Sequence, residues 1–156
     1  MEKELYLYFS DTLQKTTSMI LFENSIVKLD YSPATDILEV AYPDLHGYLL
    51  PEIKHTITIM MDYIKNYDVK KLLLDSTRTL IAVSEEESRE VAMTLAAGIM
   101  TTRVGKVARV QSPSSEVEQA AQGNISHLKE AQQLPFELRN FTSKTEALAW
   151  LKGRQD

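Results

Sequence analysis

The residues whose types best suit chemistry are Asp75, Ser76 and Arg78, which follow the apolar run Leu72-Leu73-Leu74. A run with no polar interruption suits a strand covered on both faces. An acid, a hydroxyl and a cation just past the carboxyl end of such a strand stand where open α/β sheets place ligands, so the three are candidate ligand or partner contacts. The same residue types also build ordinary loops, in which Asp and Ser accept from nearby backbone amides. No assembled base and oxyanion donor accompanies them, and no catalytic residue is assigned.

Other chemistry finds less support. His46, His55 and His127 have neither the i,i+4 nor the acid-paired spacing of a metal helix, and they are expected to face solvent. The chain has no Cys, hence no disulfide framework, thiolate metal site or cysteine nucleophile. Its five Gly never form a dinucleotide fingerprint or a phosphate-binding loop, and there is no nucleophile elbow. The expectation is no metal and no cofactor. A net charge of −5 gives no overall attraction to phosphate backbones or anionic lipid, so nucleic acid is not expected as a partner. Lys106 and Arg109, set in an apolar segment, do not change that and are placed near an edge or a strand end.

The elements that must position these residues follow from hydrophobic period. Met19–Phe22 and Ile26–Tyr31 are β-like, and Ile37–Tyr42 resumes the pattern after Ser32-Pro33-Ala34-Thr35-Asp36, so the last two form an antiparallel hairpin. Pro51 opens a helix whose Ile53, Ile57, Met60, Met61 and Ile64 make one apolar stripe. That stripe reads as core, with an apolar ligand pocket as the alternative. Strands are then predicted through Leu72–Leu74, Val104–Val110 and Phe136–Phe141. Helices begin at Ser84-Glu85-Glu86-Glu87, after Ser112-Pro113-Ser114-Ser115 and at Ser143-x-x-Glu146. Gly123-Asn124 is a potential kink in the second of these. The predicted order is β-β-α-β-α-β-α-β-α, an α/β domain with a mixed sheet that starts antiparallel, continues parallel, and is flanked by about four helices. At 156 residues such a chain buries roughly 68–70% of the surface it exposes unfolded, enough for a sizeable core.

The element order and three local phrases resemble the SpoIIAA-like, or STAS-type, domains in their STAS/Sec14-like variant. The phrases are the strand end Leu72-Leu73-Leu74-Asp75-Ser76, the Val104–Val110 strand, and the ending Phe141-Thr142-Ser143-Lys144-Thr145-Glu146-Ala147-Leu148-Ala149-Trp150-Leu151. The resemblance covers roughly residues 19–151. It implies a small mixed sheet flanked by helices, serving regulatory contacts between proteins and, in one branch, controlled by serine phosphorylation. That branch carries Asp-Ser-Ser-Gly at the start of the helix after the central strand; here the stretch is Ala82-Val83-Ser84-Glu85, so only Ser84 remains as a candidate regulatory serine. Phosphate there would meet Glu85, Glu86 and Glu87, whose like charge offsets the favourable helix N-terminus.

Residues 1–18 precede the matched region, and Leu5, Leu7 and Phe9 alternate with Tyr6 and Tyr8 as in a strand that is sticky on both faces. The segment is either an extra strand or dimer contact, with Leu5, Leu7 and Phe9 as the candidate oligomer contact, or a disordered extension. The run Leu5–Phe9 is too short for a secretory signal and nothing downstream approaches a membrane span, so a cytoplasmic protein without integral membrane association is expected. Three functions remain. The first is a non-enzymatic regulatory module with a protein partner, the second a carrier or sensor of a small apolar, lipid-like ligand, and the third, ranked last, an unrecognised enzyme using Asp75 or Ser76.

Overall fold

The computed structural model describes residues 18–153. Leu5, Leu7 and Phe9 lie outside them. Strands β1 (Met19–Glu23), β2 (Lys28–Ser32) and β3 (Ile37–Ala41) come first. Then follow β4 (Leu45–His46), a short 3₁₀ turn, α1 (Leu50–Asn66), β5 (Lys71–Asp75) and β6 (Ile81–Ala82). The chain ends with α2 (Glu85–Met100), β7 (Lys106–Val110), α3 (Ser115–Ala131), β8 (Glu137–Phe141) and α4 (Lys144–Leu151).

Six strands form one mixed sheet in the order β1-β2-β3-β5-β7-β8. Its first two pairings are antiparallel and the remaining three parallel, the expected α/β architecture with four α-helices. Four strands precede the first helix where the predicted order counts two: the β-like Met19–Phe22 segment is a strand in its own right, β1, paired with β2, and β4 is added before the helix. The register of that edge pair slips: Ile20 faces Asp30 and Phe22 faces Leu29, so Leu21 is skipped. The second addition is a two-stranded parallel pair, β4 with β6, too short to carry a hydrophobic period.

Alternation along each strand divides the core in two. Leu29, Tyr31, Leu38, Val40, Leu72 and Val107 point to one side, where they meet the buried faces of α1 and α2. Ile37, Leu73, Ala108 and Val110 point to the other, covered by Ala147 and Leu151 of α4. β5 is therefore an interior strand buried on both sides, as its apolar run requires. A fully buried Leu contributes about 2 kcal/mol by removal from water.

The stripe on α1 is core: Ile53, Ile57, Met60, Met61 and Ile64 are all buried. Met61 packs on α2 at Gly98, where a Cβ would lie 2.9 Å from Met61 Cγ, so the small residue sets how close the two helices come. Helix α3 runs unbroken through Gly123-Asn124, with Asn124 turned inward. Among the described residues no helix is long and apolar enough to cross a membrane.

Candidate functional site

The carboxyl ends of β3, β5 and β7 form a rim. Its backbone is fixed first: Tyr42 N–H donates to the Asp75 carbonyl at 2.7 Å and Ser76 N–H to the Val110 carbonyl at 3.0 Å. Asp75 Oδ1 then accepts from Thr77 N–H at 2.9 Å and from its hydroxyl at 2.6 Å, a local turn of the kind Asp builds after a strand. Thr79 closes the loop by donating its hydroxyl to the Tyr42 carbonyl, 3.0 Å away. Asp44 accepts from Leu80 N–H at 2.8 Å, which ties this loop to the one before β4.

The three candidate contacts separate at this point. Asp75 and Arg78 line an open cleft of about 740 Å³, together with Asp44, His46 and Tyr48. Ser76 turns the opposite way, is 2% exposed, and lines a half-open, mostly apolar pocket of about 90 Å³ between the sheet, α2 and α3. Acid and hydroxyl thus serve two different spaces. Tyr42 borders both, and burial pushes its hydroxyl up to about 12 against the opposing pull of Arg109.

Two residues that sequence reasoning missed shape the rim's outer surface. Tyr48 is 81% exposed and Leu80 62% exposed, and the His46 ring stacks on Tyr48 with centroids 5.5 Å apart. A lone Tyr and a Leu beside a turn carry no period, so only the β4–β6 pairing brings their segments together.

Lys106 and Arg109 sit toward the ends of β7, as expected. Lys106 lies over the Trp150 ring at 5.1 Å. Arg109 is 7% exposed and held by Glu118 in a two-pronged pair, with Nη1 and Nη2 2.9 and 2.8 Å from its carboxylate oxygens. Ser112 N–H also donates to Glu118, at 2.6 Å. Burial alone would raise the Glu118 carboxyl, but bonds from Arg109 and Ser112, the Arg109 charge and Gln122 outweigh it and leave the carboxyl below its ordinary value. A lowered carboxylate stabilises the fold above the unfolded value of about 4.5, and that contribution is lost as pH falls through the folded one.

Ser84 is the exposed N-cap of α2. Its hydroxyl accepts from Glu87 N–H at 3.1 Å, and Glu87 accepts from Ser84 N–H at 3.1 Å, completing the expected capping box. Ser84→Ala is expected to cost about 1 kcal/mol, read as a drop of about 2–4 °C in the thermal midpoint. A drop too small to resolve would mean that the cap carries no stability.

Alkali offers a second check. Burial, then the hydrogen bond to Asp36, push the Tyr31 hydroxyl up to about 12, matching Tyr42. Both protons are held by the folded state when the unfolded chain has released them, so stability should fall as pH rises from about 10 toward 12. Phenolate absorbance should show two tyrosines ionising late and together with unfolding; ordinary titration of every tyrosine would refute these environments.

No protein-family model matches the chain. No curated protein matches it either. Among solved structures, it is similar to the crystal structure of apo-SiaC from Pseudomonas aeruginosa, at 10% sequence identity and a TM-score of 0.40, over 78% of this chain and 98% of that one.

Proposed function

We propose that this chain is a non-enzymatic regulatory module of the STAS type, spanning residues 19–152, that meets a protein partner through the rim at the carboxyl ends of β3 and β5. The observation that carries this reading is the exposure of Tyr48 and Leu80 beside a cleft edged by Asp75 and Arg78. Aromatic and Arg side chains in such a setting are the groups that dominate protein interfaces. The separation of Asp75 from Ser76 supports a binding role over a catalytic one. The antiparallel-then-parallel sheet agrees with the family resemblance of the sequence.

Photocrosslinking in the native cell tests it. A crosslinking residue at Tyr48 or Leu80 should yield one discrete protein adduct, and the same residue at Tyr67, at the opposite end of the sheet, should not. Arg78→Glu should weaken the adduct about tenfold or more, the loss expected when a central interface residue is reversed. Equal labelling at Tyr67, or no discrete adduct at the rim, would overturn the proposal.

The lipid-carrier reading finds less room. The half-open apolar pocket beside Ser76 holds about 90 Å³, roughly three liquid waters, well short of a long acyl chain.

A further inference from the structure

The two outer strands of the sheet differ. β1 carries a register slip, whereas β8 holds five consecutive pairings with β7 without a break. Glu137 N–H donates to the Gly105 carbonyl at 2.9 Å, and Gln111 N–H donates to the Phe141 carbonyl at 2.8 Å. In a parallel ladder alternate residues of a strand make all its bonds to one neighbour, so Glu137, Arg139 and Phe141 turn their backbone groups toward β7. Leu138 and Asn140 turn theirs outward, and among the described residues no further strand lies beyond β8.

Side chains on this edge carry a pattern. Glu137 and Arg139 are exposed and share one face by alternation, with the Arg139 guanidinium over the Trp150 ring at 5.2 Å. Among the described residues neither forms an ion pair. Leu138 lies on the other face, beside an open groove of about 360 Å³ that Leu134 and Phe136 also line. Charges on an outer strand ordinarily discourage strand addition. Opposite signs two residues apart favour it for a strand that carries the same two in reverse.

We propose that β8 docks a second copy of this chain, its own β8 running antiparallel about a two-fold axis at Leu138, so that Glu137 of each copy meets Arg139 of the other. The outward backbone groups admit only registers that set Leu138 or Asn140 against a residue likewise turned outward. Centring on Leu138 satisfies this and gives two opposite-charge pairs, at positions without hydrogen bonds, where facing side chains lie closest. Centring one residue away, on Glu137 or on Arg139, sets like charges against each other and is disfavoured. The groove leaves room for the partner's Leu138 beside this one. A two-fold contact uses the same patch on both copies and therefore closes at two, continuing one sheet across the pair without starting a fibre.

Sedimentation equilibrium of the full chain from about 10 μM to about 1 mM tests it. A pairing of five-residue strands falls below the roughly 1,200 Å² of a standard interface, so a dimer dissociating at about 100 μM is expected. Glu137→Arg and Arg139→Glu should each weaken association at least about tenfold. An equimolar mixture of these two variants should restore it, since each copy then offers the charge that the other lacks, and the double variant Glu137→Arg/Arg139→Glu should associate as the native chain does. Hydrogen exchange identifies the edge: the amides of Leu138 and Asn140 should gain protection at high concentration, while those of Glu137 and Arg139, already bonded to β7, should not change. A chain monomeric at about 1 mM, a mixture no tighter than its components, or a dimer that leaves Leu138 and Asn140 unprotected would each overturn the proposal. The rim reading stands or falls separately, on adducts at Tyr48 and Leu80.

Discussion

Glu118→Leu is expected to lower the thermal midpoint by about 6–12 °C, the equivalent of about 3 kcal/mol in a domain of this size. The substitution removes one half of a pair whose other half cannot reach bulk water. Arg109, with its side chain 9% exposed, keeps only Asn140 Oδ1 at 3.3 Å. Ser112 N–H loses its acceptor at the same time. Glu118 itself is 20% exposed, which keeps the figure toward the lower end of the range for breaking buried pairs. The double variant Arg109→Met/Glu118→Leu should recover most of the loss, because two apolar chains leave no stranded charge. Thermal unfolding of the two single variants and the double one decides the matter: strictly additive losses would show that the pair is not coupled.

Leu73→Ala is expected to be as damaging, at about 3–4 kcal/mol. Leu73 is fully buried at the centre of the sheet, on the side covered by α4 alone. Its neighbours on that side include Ala108 and Ala147, side chains too small to move into the space a lost isobutyl group leaves. The loss should also have a direction. Amides of α4 should lose more protection than those of α1, packed on the opposite side, whose exchange quickens only as far as global stability falls. Uniform acceleration across both helices would contradict a core divided by the sheet. So would a loss below about 1 kcal/mol, the cost of a site able to collapse.

Much of the fold was legible because several independent signals agreed. Val27, Leu29 and Tyr31 alternate with polar residues, and Leu72-Leu73-Leu74 does not alternate; the first pattern produced β2, a strand apolar on one face only, and the second β5, buried on both faces. Ser84 and Glu87 wrote the start of α2 in side-chain chemistry, and the capping box formed as read. Less of the site was legible. Asp75 and Ser76 are adjacent in sequence, and consecutive side chains leaving a strand point to opposite sides, so one faces the cleft and the other the interior. The partner of Arg109 lies nine residues on, across a turn and into the first turn of α3, a spacing set by loop geometry and by no repeating period. Asn124 beside Gly123 read as a kink in a helix; its inward turn is met by Ser88, which only packing of α3 on α2 brings near.

The slipped register of β1 has a further consequence for the outer edge of the sheet that the described residues form. Met19 and Ile20 are 40% and 54% exposed on an outer strand, the composition that invites a neighbour's chain to add on and start a fibre. Leu21 spoils the template. An extra residue in a strand bends it and breaks the even ladder of amides and carbonyls, so an incoming strand that matched the first two residues would be out of step by the fourth. Among the described residues, one surplus residue thereby joins the charge of exposed Glu23 in guarding this edge against added strands.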